Sequence, residues 1–76
     1  MAKKVTIEQA NRILKLLGYN DYSVSMVFEN GFRATRTNEW FKGEMTVELL
    51  TDPREINIDN IFEYVSYAII KLEMYK

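Results

Sequence analysis

The sequence predicts an α+β fold: an N-terminal helix, a three-stranded antiparallel β-meander and a C-terminal helix (αβββα), with both helices packed on one sheet face. Three observations carry that reading. Apolar residues recur at helical spacing near both ends, they alternate with polar ones between positions 22 and 50, and the three glycines stand where a helix end or a turn needs them. With no linker, repeat or low-complexity segment, residues 1–76 read as one small domain.

In the first segment, "TIEQANRILKLLG", Ile7, Ala10, Ile13, Leu14 and Leu17 share one side, with Glu8, Arg12 and Lys15 on the other. Thr6 can cap this helix, Gln9 holds the capping-box position, and Gly18 can supply the left-handed residue that ends it. "YNDY" then reads as a turn.

The first strand, Tyr22 to Phe28, alternates with Val24, Met26 and Phe28 on its core face. Asn30-Gly31 invites a two-residue type I′ loop, but that loop sets Phe28 opposite Arg33 and an apolar face beside a polar one. A three-residue loop, Glu29-Asn30-Gly31, pairs Phe28 with Phe32 and Met26 with Ala34, so burial favours it. At Lys42-Gly43 a two-residue loop pairs Trp40 with Met45. It brings Val47 and Leu49 of a third strand, Glu44 to Leu50, onto the face of Phe32 and Ala34. That register also buries Arg36 and Asn38, a cost that fraying of strand two or a bulge before Trp40 would relieve.

"TDPRE" is a loop in which Pro53 ends the strand's hydrogen bonding. Asn57 or Asp59 then caps a final helix reaching about Tyr75, with Ile58, Ile61, Phe62, Val65, Ala68, Ile69 and Leu72 inward. Tyr67, Ile70 and Met74 fall on the opposite side of that helix, at i, i+3 and i+7, as an apolar patch the core does not need.

Composition narrows the function. A chain of 76 residues hides only about 60% of its unfolded surface on folding, yet 47% of this one is hydrophobic and 13% aromatic. The surplus calls for a dense core or a partner. Without Cys or His the chain lacks thiolate nucleophiles, disulfides, the commonest metal ligands and the commonest neutral-pH base. Asp52, Glu55 and Asp59 do not match a calcium loop, and no glycine-rich phosphate loop exists. The expectation is therefore no enzyme, no cofactor and no metal. No apolar run approaches the ~18 residues of a membrane span, and "MAKKVTIEQ" lacks a signal peptide's apolar stretch, so a cytoplasmic protein without membrane contact is expected.

Residues 1–36 carry six basic against three acidic side chains, and residues 37–76 four against eight, summing to the formal −1. The leading expectation is a non-enzymatic protein-binding module that occupies a surface on a larger protein or dimerises. Its contacts would be Tyr67, Ile70 and Met74 together with Phe41 at a hairpin tip beside Arg33 and Asn38. Phe, Tyr, Met, Ile, Asn and Lys supply 32 residues and Gly, Ala, Arg and Pro only 12, the bias of an AT-rich genome. A small acidic domain from such a genome has the form of many phage or mobile-element inhibitors of host defence complexes, an analogy without a motif behind it. One alternative is a nucleic-acid-binding accessory protein using Lys3, Lys4, Arg12 and Lys15, although Glu44 and Glu48 oppose a phosphate backbone on the sheet. Another is a small-ligand binder or sponge at a dimer seam.

Overall fold

The computed structural model describes residues 5–37 and 41–74, with side chains over 5–37 and 42–70. The chain runs α1 (Ile7–Leu17), β1 (Ser23–Phe28), β2 (Gly31–Thr37), β3 (Phe41–Leu49), a 3₁₀ turn (Pro53–Glu55), α2 (Ile61–Tyr64) and β4 (Val65–Met74). The strands form one antiparallel sheet in the order β1-β2-β3-β4, and both helices pack on it. The α+β class is as expected; the sheet has four strands rather than three.

Local chemistry decides α1. The Thr6 hydroxyl accepts from the Gln9 N–H at 3.1 Å, and the Gln9 side chain accepts from the Thr6 N–H at 3.0 Å, closing the capping box. Gly18, at φ 93°, ends the helix, and its N–H donates to the Lys15 carbonyl at 3.0 Å. Ala10, Ile13, Leu14 and Leu17 are buried, but Ile7 is exposed. Val5 fills the core at that end instead, its N–H reaching the Phe28 carbonyl at 3.3 Å.

The turn after β1 is a two-residue loop, Glu29-Asn30, so Phe28 pairs with Gly31 rather than with Phe32. The clash of polar and apolar faces is resolved inside the strand. A bulge between Val24 and Met26 inserts one residue, which puts Val24 opposite Ala34 and Val27 opposite Phe32. Val24 and Val27 therefore pack on the core, whereas Met26, expected inward, is exposed, and Phe28 pairs on the other face. Gly31 is needed for space rather than for a positive φ: a Cβ there would run into the Val47 carbonyl oxygen.

Gly43 lies within β3 rather than at a turn, opposite Arg36. Ala34 pairs with Met45, where Trp40 was expected to; the shift of six residues is even, so Val47 and Leu49 still share a face with Phe32 and Ala34. Trp40 and Asn38, and the path between Thr37 and Phe41, lie outside the described residues. Arg36 stands on the helix side, where its guanidinium pairs with Asp21 at 2.8 Å. The bare surface of Gly43 is covered by Tyr22, whose hydroxyl would stand 2.8 Å from a Cβ there.

The expected second long helix does not form. Asn57 and Asn60 fold residues 57–60 into a turn: the Asn57 side chain accepts from the Asp59 and Asn60 N–H groups at 2.8 and 3.2 Å, and the Asn60 side chain accepts from the Asn57 N–H at 2.8 Å. One helical turn, α2, follows, and Val65–Met74 continues as the fourth strand, consistent with its β-branched Val65, Ile69 and Ile70 and aromatic Tyr67. Of the stripe expected to face inward, Ile61 and Val65 are buried, while Ile58, Phe62 and Ile69 are exposed.

Arg12 ties the two ends of the fold together. Its guanidinium donates to the Ile56 carbonyl at 2.8 Å and to the Pro53 carbonyl at 2.7 Å, fixing α1 to the β3–α2 connection. We expect Arg12→Ala to cost about 1–2 kcal/mol in denaturant unfolding, since both carbonyls lose a charged donor; an unchanged midpoint would contradict the clamp. The glycines offer a second check by thermal melting. Gly31→Ala must displace backbone and should cost about 2–3 kcal/mol, whereas Gly43→Ala meets only the tip of Tyr22 and should cost less than about 1.

Candidate functional site

The sheet presents two edges, and they differ. β1 is interrupted by its bulge and carries the Val5 hydrogen bond at its end. β4 is ten residues long, about 33 Å at roughly 3.3 Å per residue, and pairs with β3 without interruption from Val65 opposite Leu49 to Ile70 opposite Glu44. The register shifts only beyond, between Lys42 and Gly43. Among the described residues, β4 has a neighbouring strand on one side alone.

Side chains of β4 emerge on both faces. Val65, Tyr67 and Ile69 lie on the helix side with Leu49, Val47 and Met45, and Ser66, Ala68 and Ile70 on the other with Glu48, Thr46 and Glu44. Exposure on the helix side climbs from 7% at Val65 to 39% at Tyr67 and 43% at Ile69, and Ile70 on the open side stands at 52%. The β3 partners Met45 and Val47 are fully buried, so beyond Val65 the core ends between β3 and β4.

Tyr67 and Ile70 are thus both exposed, as expected, but on opposite faces of a strand rather than together on a helix. Met74 pairs with Phe41 at the far end of the ribbon, and the side chains of both lie outside the described residues, as do Asn38, Lys3 and Lys4 entirely. Arg33 is not beside Phe41. It pairs with Thr46, five strand residues or roughly 17 Å away, and its Nε stands 4.0 Å from the Glu44 carboxylate without a hydrogen bond. Of the first-helix cations, Arg12 is turned onto carbonyl oxygens and Lys15 is exposed. Ile69 was missed as an exposed residue because helical spacing assigned it to the core; its β-branched neighbours were the available signal.

Three tyrosines brace the inner side of this edge. Tyr19 meets Tyr22 at 5.5 Å and Tyr67 at 6.1 Å between ring centroids, both edge to face. On the open face, a groove of about 450 Å³ lies over Gly31, bounded by Phe28, Glu29 and Glu48. Its two carboxylates make it a poor seat for phosphate. Among the described residues no group of carboxylates is placed to hold a metal, and no helix is long and apolar enough to cross a membrane. Comparison with protein-family models, curated proteins and solved structures found no match to this chain.

Burial, with the Tyr67 hydroxyl as a further cause, holds the Tyr19 phenol above its ordinary pKa. Because the folded value exceeds the unfolded one of about 10, the associated stability is present at neutral pH and lost as pH rises through the folded value. An ultraviolet titration should show a late-ionising tyrosine component that is lost in Tyr19→Phe.

Proposed function

We propose that the chain is a non-enzymatic protein-binding module that accepts an extended strand of its partner along the edge of β4. The observation that supports this is the uninterrupted pairing of β4 from Val65 to Ile70 with apolar side chains exposed on both its faces. A strand edge offers a row of N–H and C=O groups, so an added strand gains main-chain hydrogen bonds. Specificity then comes from alternate side chains, with Tyr67 and Ile69 gripping one side of the incoming strand and Ile70 the other. A module of this kind works by occlusion, covering a strand or surface that a larger complex uses, which is how a phage or mobile-element inhibitor of a host complex would act.

The test is partner capture on immobilised protein, with two variants compared against the native chain. Ile70→Glu places a charge on the exposed strip and should weaken capture by about tenfold or more, a loss of about 1.4 kcal/mol. Its melting temperature should stay within a few degrees, because Ile70 is half exposed. Lys15→Glu on α1 should change neither quantity. Native-like capture by Ile70→Glu would refute the β4 edge, and loss of capture in Lys15→Glu would point to the first helix instead.

A further inference from the structure

Strand addition at β4 leaves open whose strand is added, and the residues of the edge bear on that. Natural sheets protect an exposed edge with charge, proline, a bulge or cover. β1 has two such devices, its bulge and Val5. Among the described residues β4 has none from Val65 to Ile70: the run Val-Ser-Tyr-Ala-Ile-Ile contains no charge and no proline, and its register with β3 is unbroken. An unprotected apolar edge on a chain of formal charge −1 meets little repulsion from a second copy of itself.

Self-pairing must also satisfy parity. A twofold axis normal to the sheet keeps the helices of both copies on one side, so residues of equal parity face each other and the axis passes through a residue. With the axis at Ala68, Tyr67 faces Ile69 of the second copy and Ser66 faces Ile70, each twice. The three exposed apolar residues of the regular segment are then all paired within it. An axis at Tyr67 sets Ile70 against Tyr64, which belongs to α2 rather than to the strand. Axes at Ile69 and Ile70 set Tyr67 and Ile69 respectively against position 71, past the end of that regular segment.

We infer that the partner strand is β4 of a second copy, antiparallel about a twofold axis at Ala68, joining two four-stranded sheets into one of eight. This rests on β4 being the binding edge and goes further by naming the occupant and register. Tyr67 against Ile69 is an aromatic–β-branched cross-strand pair, a favourable kind, and it occurs twice on the side where α1 leaves β4 uncovered.

The chain's lack of cysteine makes the test clean. Residues directly opposite on antiparallel strands have Cα atoms about 4.5–5.5 Å apart, within the span of a disulfide. Exposed Ala68→Cys should therefore link to its own copy under mild oxidation, while Lys15→Cys on α1 should not. Light scattering over about a hundredfold range of concentration should give twice the 9.0 kDa chain mass at the upper end. Ile69→Lys should return the mass to that of one chain with unchanged circular dichroism. A single-chain mass throughout would overturn self-pairing, leaving the β4 edge to stand or fall by the Ile70→Glu capture result. A dimer whose Ala68→Cys form does not link, or that survives Ile69→Lys, would overturn the register and place the contact elsewhere.

Discussion

A helix about 10 Å across covers roughly two strands spaced about 4.8 Å apart, and this sheet has four strands and one helix of more than a single turn. The strand that α1 approaches most closely is β1. Of the four residues of α2 only Ile61 is buried, and along β4 the described side chains are exposed beyond Val65. Most of the surface on which a functional reading can rest follows from that shortage of cover. The segment after Asn60, which could have supplied a second covering helix, widens the sheet by a strand instead. One change of conformation thus removes the lid and adds the surface that needed it.

How much of this is legible in the sequence depends on whether a signal is local. The cap of α1 involves residues three apart, and Thr6, Gln9 and Gly18 act as their types suggest. The assignment of Phe32, Ala34, Val47 and Leu49 to one face survives a wrong register because parity is insensitive to an even shift. Parity misleads in β1, where regular alternation was assumed and Ser25 is taken up in a bulge that turns Met26 outward. Periodicity misleads again from Val65 to Ile70. A strand apolar on both faces has no alternation to display, and its Ile and Ala positions also fit a helical stripe. The candidate site shares that fault: Tyr67 and Ile70 are exposed, but their spacing was read with the wrong period and Ile69 was placed in the core.

The cations show how a contact distant in sequence redirects a residue. Arg12 reads as one member of a basic helix face, and its spacing with Lys15 supports nothing else. The carbonyls it reaches lie 41 and 44 residues away, in a connection whose shape is set by Asp52, Pro53 and the paired asparagines. In a chain without disulfides, this clamp links the helix to the connection between β3 and α2, a stretch with no long element of its own.

The position of β4 also bears on how the molecule opens. Amides in β2 and β3 belong to strands with neighbours on both sides, and Phe32, Ala34, Met45 and Val47, which meet there on the core face, are buried. From Tyr67 to Ile70 the last strand is tied to the sheet by one ladder and by exposed or half-exposed side chains, so it separates at a smaller free energy than global unfolding requires. A native population with this strand detached presents β3 as a temporary edge lined by Met45 and Val47, which are fully buried in the closed sheet. The molecule therefore carries a second, concealed strand edge, whose population is set by how firmly its outermost strand is held.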